Sequence, residues 1–173
     1  GKLWQKKSEL NKQVELFTVG DDYLLDCELV KYDCLGSIAH AKMLGKIEIL
    51  THEEVNQIVS VLQQIIESDD FEIKVEQEDC HTAIENYLTE ELGELGEKIH
   101  TARSRNDQVL TALRLYYKDK IKECGDTVNK WIRALEQLAE RDGDILMPGF
   151  THMRKAMPSS VALWCGAFIE SAE

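Results

Sequence analysis

The stretch LTALRLYYKDKIKECGDTVNKWIRALEQL, residues 110–138, decides the fold. Leu110, Leu113, Tyr117, Ile121, Cys124, Val128, Trp131, Leu135 and Leu138 follow one another at steps of three or four residues. That is the period of an apolar stripe along a helix. In near-heptad register it predicts one helix of about 30 residues, about 45 Å long, packed in a bundle at shallow crossing angles. Globular helices average about 11 to 12 residues, so a rod of this length belongs to a multi-helix or intersubunit bundle.

Upstream, Leu29, Val30, Cys34, Ile38 and Ala41 recur at helical spacing and predict a helix over 26–44 that tolerates Gly36 and closes at Gly45. Thr51-His-Glu-Glu54 has the form of a capping box, and Val55, Ile58, Val59, Leu62, Ile65 and Ile66 follow it, predicting a helix over 52–68. Phe71-Glu-Ile-Lys-Val75 alternates and reads as a short extended segment. Downstream, Asp142-Gly143-Asp144 breaks the long pattern, Met147-Pro-Gly149 makes a turn, and Pro158 stands where a first-turn proline opens a last helix. Residues 161–169 of that helix are apolar or small on every side, so it is expected to be buried all round. It reaches Glu173 without a stop signal, which makes the chain the expected N-terminal part of a longer protein. The elements together predict an all-α fold, with no repeat and no low-complexity tract.

Composition closes off other classes. The 173 residues carry 32 acidic against 20 basic side chains, a net charge of -12 that repels a phosphate backbone, so no nucleic-acid partner is expected. No apolar run approaches the ~18 residues of a membrane span, and the lysine-bearing start has no apolar stretch after it as a secretory signal would. Only two prolines argue against an all-β chain with frequent turns. Five cysteines, widely spread and without a C-x-x-C pair, suit reduced, buried thiols and a cytoplasmic location.

Three polar clusters interrupt the periodic segments. In Glu78-Asp79-Cys80-His81-Thr82-Ala83-Ile84-Glu85, Asp79 or Thr82 can cap the next helix, leaving His81 a surface side chain, or His81 can line a site. In His100-Thr101-Ala102-Arg103-Ser104-Arg105-Asn106-Asp107-Gln108, two arginines among hydroxyls and an amide make an anion-recognition surface ahead of a helix N-terminus. A capped helix start with solvated charges is the alternative, with Ser104 or Asn106 as cap. In residues 148–158, His152 lies between two turn signals beside Thr151 and can act as a general acid or base, or be structural. The five histidines form no zinc-site spacing, and no dinucleotide, P-loop or G-x-S-x-G motif occurs.

In this order the clusters resemble the argininosuccinate lyase family of the fumarase and aspartase superfamily. Residues 100–109 differ from the family's His-Thr-Gly-Arg-Ser-Arg-Asn-Asp-Gln-Val by Ala102 alone, and Asp79-Cys80-His81-Thr82 with Glu85 is similar to its Asp-x-His-Thr-x-x-Glu. Lys2-Leu3-Trp4, Leu35-Gly36-Ser37 and Ala39-His40 resemble its N-terminal region, so the likeness covers essentially the whole chain. The pair Arg103 and Arg105 separates it from fumarases and adenylosuccinate lyases, whose corresponding loop is less basic.

The resemblance implies an N-terminal helical lyase domain over 1–105 and, over 106–173, the start of a central helical bundle. It implies reversible β-elimination of argininosuccinate to arginine and fumarate, without metal or organic cofactor. A base removes a proton beside a carboxylate, the carbanion is held as an aci-carboxylate, and an acid protonates the departing guanidinium nitrogen. Donors aimed at that charge lower the barrier more than they tighten binding. Carried over, Asn106 and Thr151 hydrogen-bond substrate, Ser104 and Arg105 shape the carboxylate pocket, His152 is the acid/base histidine, His81 lines the site and Thr101 supports it. The family's serine loop, Ser-Ser-x-Met-Pro-x-Lys-x-Asn, is not in this sequence and is expected beyond Glu173. A homotetramer, with each site built from three subunits around a twenty-helix bundle, accounts for the long helix.

Three positions depart from the family pattern. Arg154 and Met157 replace common glutamines, and Asp22 stands near an N-terminal substrate-contacting serine. Met157 keeps volume, whereas Arg154 brings a long cation to the proposed site. Two other readings share the ancestry: a non-catalytic, crystallin-like helical protein, and a lyase for another succinyl adduct.

Overall fold

The computed structural model describes residues 12–173, and helix is its dominant element. In chain order these are α1 (Lys12–Val19), α2 (Asp22–Leu25), α3 (Val30–Lys46), α4 (His52–Glu67), α5 (Cys80–Leu92), α6 (Glu94–Glu97), α7 (Arg105–Asp142) and α8 (Val161–Ala172), with strands β1 (Leu146–Thr151) and β2 (Arg154–Ser160) before α8. Short 3₁₀ turns at Asp26–Leu29, Val75–Gln77 and Lys98–His100 lead into or out of the helices. The chain divides into two compact units, the first ending at Tyr117 and the second spanning Lys118–Glu173. The likeness noted at Lys2-Leu3-Trp4 lies outside the described residues.

In the first unit α3, α4 and α5 enclose one core. Cys34, Leu44, Ile58, Leu62, Ile84 and Leu88 are sealed from solvent there, and each large aliphatic side chain so buried contributes about 1.5–3 kcal/mol. The capping box read at Thr51 forms. Thr51 Oγ1 accepts from the Glu54 N–H at 3.2 Å, while Glu54 Oε2 accepts from the Thr51 N–H at 2.8 Å. The apolar stripe of α4 starts one residue later and turns Val55, Ile58, Leu62 and Ile65 inward. The helix predicted from Asp26 begins as a 3₁₀ turn and becomes α-helical at Val30. Gly45 does not close it, since α3 runs to Lys46. A Cβ at Gly45 would meet Val55 Cγ2 at 2.7 Å, so close approach of the next helix explains this glycine.

Phe71–Val75 is not a sheet strand: it runs irregularly into the turn at Val75. Its alternation places Ile73 in the core and Phe71 edge-on to Tyr87, 5.8 Å between ring centroids.

The long helix exceeds its predicted length, running 38 residues from Arg105 to Asp142. Its polar first turn carries no apolar stripe and is held instead by capping. Ser104 Oγ accepts from the Asn106 N–H at 3.2 Å, and Asp107 Oδ2 accepts from the Ser104 N–H at 3.2 Å. In the first unit Gln108 and Ala112 are buried, whereas Leu110 and Tyr117 stand exposed.

The second unit corrects the reading of Pro148 and Pro158. Neither opens a helix nor ends a strand: β1 and β2 form an antiparallel hairpin with Pro148 opposite Pro158 and Thr151 opposite Arg154. A two-stranded ribbon leaves each strand an edge, where a residue without an N–H is tolerated. The register shifts between Pro148 and Phe150, and a Cβ at Gly149 would meet the Met157 carbonyl oxygen at 2.8 Å. Helix α8 starts later than predicted, at Val161, capped by Ser160, whose hydroxyl accepts from the Leu163 N–H at 3.1 Å. It is not buried all round. Cys165 is enclosed, and Trp131, Trp164 and Phe168 meet edge-on, but Leu163 remains 65% exposed.

Candidate functional site

The first unit gathers its polar side chains where α3, the start of α5 and the segment leading into α7 meet. Asp33 on α3 is 1% exposed, and an ionised carboxylate so placed requires hydrogen bonds. Gln108 Nε2 donates to both of its oxygens, at 2.9 and 2.8 Å, and His81 Nδ1 stands 3.0 Å from Oδ2. A carboxylate only accepts, so the His81 Nδ1 carries the proton in this contact. His81 is therefore not the surface side chain that the capping alternative made it. The other half of that alternative holds: Asp79 caps α5, Oδ1 accepting from the Thr82 N–H at 2.6 Å.

A second carboxylate lies along the same network. Glu85 Oε2 accepts from Arg105 Nη2 at 3.2 Å, and Oε1 faces His100 Nδ1 at 3.1 Å. Arg105 Nη1 in turn donates to Gln108 Oε1 at 3.5 Å. The result is an unbroken polar series His100, Glu85, Arg105, Gln108, Asp33, His81. Two of its members, His81 and Arg105, were expected at the site. Asp33, Glu85, His100 and Gln108 carried no assigned role, although Asp33 had a signal: it is a charge set between Val30 and Ser37 on the buried stripe of α3.

Arg103 adds a third guanidinium-bearing contact to this region. Nη1 donates to Ser37 Oγ at 2.9 Å, and Nε and Nη2 are buried without a protein acceptor. Burial holds its pKa below the usual arginine value, with Asp33 and Glu85 opposing that effect and Arg105 adding to it. His40 Nε2 donates to the Thr101 carbonyl at 2.9 Å, and burial lowers the His40 pKa. Ala102 between them has φ 56°, a left-handed conformation that costs a residue with a Cβ. A cleft of about 340 Å³ opens here, lined by Gly36, His40, Arg103, Asp107 and Thr111 among others. A second, of about 350 Å³, is bounded by Glu85, Thr89, Gly96 and His100.

Of the remaining expected residues in this unit, Thr101 contributes its carbonyl, Ser104 caps α7, and Asn106 is exposed on the first turn. Thr151 and His152 belong to the second unit. Thr151 ends β1, and His152 and Met153 form the two-residue hairpin loop, with φ of 47° and 63°. Positive φ at both loop positions is the type I′ arrangement, which Asn-Gly adopts at least cost. His152 is thus displayed at a strained, exposed tip, the kind of backbone outlier that gathers at functional sites.

Asp26, Cys80 and His81 bring a carboxylate oxygen, a thiol and an imidazole nitrogen within 4.8 Å of one another among the described residues. Their atoms are committed elsewhere. Asp26 Oδ2 accepts from the Cys80 N–H at 3.1 Å, the His81 Nδ1 proton points to Asp33, and burial with Asp33, Asp26 and Asp79 nearby raises the Cys80 thiol pKa. A protonated thiol is a poor ligand. All five cysteines are free thiols; Cys34, Cys80 and Cys165 are buried, whereas Cys27 and Cys124 are exposed. No helix among the described residues is long and apolar enough to cross a membrane.

A chain with these features has relatives. It is 51% identical over 99% of its length to an argininosuccinate lyase of Thermotoga neapolitana, of which it spans 44%. To an argininosuccinate lyase of Bacteroides fragilis it is 46% identical over 98% of its length, spanning 39% of that protein. The chain thus spans less than half the length of the curated relatives it matches. In three dimensions it shares the fold of EDDS lyase, crystallised with formate, at a TM-score of 0.71 and 24% identity, over 96% of this chain and 33% of that one. The model of the family described as Lyase matches residues 6–173, and the chain belongs to that lyase family.

Proposed function

We propose that the complete polypeptide, whose N-terminal part this chain supplies, is an argininosuccinate lyase that reversibly cleaves argininosuccinate to arginine and fumarate. The observation that carries the reading is the start of α7. Arg105 is held from two sides by Glu85 and Gln108, next to the exposed Asn106 and the N-terminus of a 38-residue helix. A pre-oriented guanidinium at the positive end of a helix suits a dicarboxylate moiety. In this reading residues 1–105 form the N-terminal lyase domain and 106–173 open the central bundle.

Arg105 and Ser104 bind a substrate carboxylate, Asn106 and Thr151 hydrogen-bond substrate, His81 lines the pocket with Thr101 behind it, and His152 moves the proton. The aci-carboxylate gains negative charge as the reaction proceeds, so donors already in place favour it over the substrate. Exposed apolar side chains on α7 and α8, among them Ile121, Trp131 and Trp164, support assembly into a homotetramer. Five free thiols suit the cytoplasm.

The test is fumarate release from argininosuccinate by the complete polypeptide. His152→Ala and Asn106→Ala are each expected to lower turnover by roughly 10²–10⁴-fold, the usual worth of a positioned proton-transfer or oxyanion group, with the tetramer intact. Full activity in both variants sinks the assignment. The 173-residue chain alone is expected to give no turnover, because the serine loop is not in it.

A further inference from the structure

We infer that Gln108 is a positioning residue that couples the buried Asp33–His81 pair to Arg105, a role that rests on the lyase reading for its consequence in catalysis. The argument begins with the amide itself. Gln108 is 3% exposed and lies between an anion and a cation. Nε2 faces both oxygens of Asp33, at 2.9 and 2.8 Å, and Oε1 faces Arg105 Nη1 at 3.5 Å.

Only one orientation of the amide satisfies this setting. Flipped, it would set Oε1 against a carboxylate and an NH₂ against a guanidinium, leaving both contacts repulsive. The carboxylate of Asp33 therefore sets the direction of the amide, and the amide sets where Arg105 finds its acceptor. Glu85 holds the other terminal nitrogen of the same guanidinium at 3.2 Å. The fork is fixed from two sides, and its first anchor leads back through Asp33 to His81 at 3.0 Å. One buried side chain thus links two groups expected to touch substrate, Arg105 on α7 and His81 on α5.

The decisive variant is Gln108→Glu, which keeps the shape and replaces the donor with an acceptor. His81, Arg103 and the thiols of Cys34 and Cys80 also face Asp33, and they are the same in wild type and variant. Two facing carboxylates cannot both stay ionised at this distance without cost, and the pair takes up a shared proton as pH falls. The protonated pair again donates to Asp33 while accepting from Arg105. In the complete polypeptide, Gln108→Glu is expected to raise the KM for argininosuccinate about tenfold or more at alkaline pH, with the ratio to wild type narrowing on acidification. A lesion that merely unfolds part of the sample would lower kcat, leave KM alone and show no such pH dependence. The exchanged pair Asp33→Asn with Gln108→Glu restores one donor facing one carboxylate, and its KM should return toward wild type at every pH.

Thermal midpoints measured without substrate supply an independent arm. The deficit of Gln108→Glu should shrink as pH falls, and the exchanged pair should be less destabilised than the sum of its single variants. A deficit equal at all pH values, with strictly additive singles, overturns the coupling. If wild type does not release fumarate from argininosuccinate, the lyase reading falls, and the midpoints still decide whether Gln108 couples Asp33 to Arg105.

Discussion

Glu85 Oε2 accepts from Arg105 Nη2 at 3.2 Å, and both side chains are largely enclosed, at 16% and 26% exposure. A charge pair in that setting is less screened than a surface pair and holds the guanidinium in one place. Its other oxygen faces His100 Nδ1 at 3.1 Å, so one carboxylate serves both a guanidinium and an imidazole. Replacing Glu85 by Gln keeps the volume and removes the charge. On the lyase reading, the KM for argininosuccinate should rise about tenfold, or ~1.4 kcal/mol, with a smaller change in kcat. Steady-state kinetics on the complete polypeptide decide it, and an unchanged KM would show that Arg105 does not depend on this anchor.

Ala102 stands at φ 56° on an exposed bend just before Arg103. A Cβ in that region costs about 1–2 kcal/mol, which glycine avoids. Glycine is also freer in the unfolded chain, which takes back about 0.4–1 kcal/mol. Ala102→Gly should therefore stabilise by about 0.5–1 kcal/mol, or ~1–4 °C in thermal midpoint at this chain length. Glycine also restores the motif His-Thr-Gly-Arg-Ser-Arg-Asn-Asp-Gln-Val that residues 100–109 otherwise reproduce. Calorimetry showing a lower midpoint would mean that the methyl group makes a contact worth more than the strain.

How legible these features were depends on the range of the interactions behind them. Helix α4 was readable because its capping box and its apolar stripe are both local, and the stripe of α7 because its period repeats over many turns. The hairpin was not. Its strands are exposed on most positions, so no buried face imposes an alternating pattern, and Gly149, Pro148 and Pro158 read as breakers when they are a bulge and two edge residues. His152 was singled out by its neighbours in sequence, but its strained φ arises from the two-residue loop and is a property of the hairpin alone. The buried pairing of His81 with Asp33 joins α5 to α3, and no periodicity within either helix announces the partner. Only the placement of a charge on the inward stripe of α3 hinted at Asp33, and Gln108 could be recognised as its donor only after the two helices were brought together.

Glu54 ties the start of α4 to Lys98, and this contact gives the fold a pH signature. Lys98 Nζ donates to Oε1 at 2.6 Å and the Thr51 N–H donates to Oε2 at 2.8 Å. Lys98 first, then Thr51, pull the carboxyl pKa down from its ordinary 4.5 to about 2. Between those values the unfolded chain binds a proton that the folded chain refuses, so stability rises with pH across the window. The contribution is fully present above about pH 4.5 and is lost as pH falls through the window toward about 2. The pair lies at the surface, so added salt should weaken it. Thermal midpoints of wild type and Glu54→Gln, compared from neutral to acid pH at low salt, should differ most at neutral pH and converge as Glu54 is protonated. Curves that stay parallel down to about pH 2 would show that the carboxylate is not held by Lys98 and Thr51, and that the helix start draws its stability from the Thr51 hydroxyl alone.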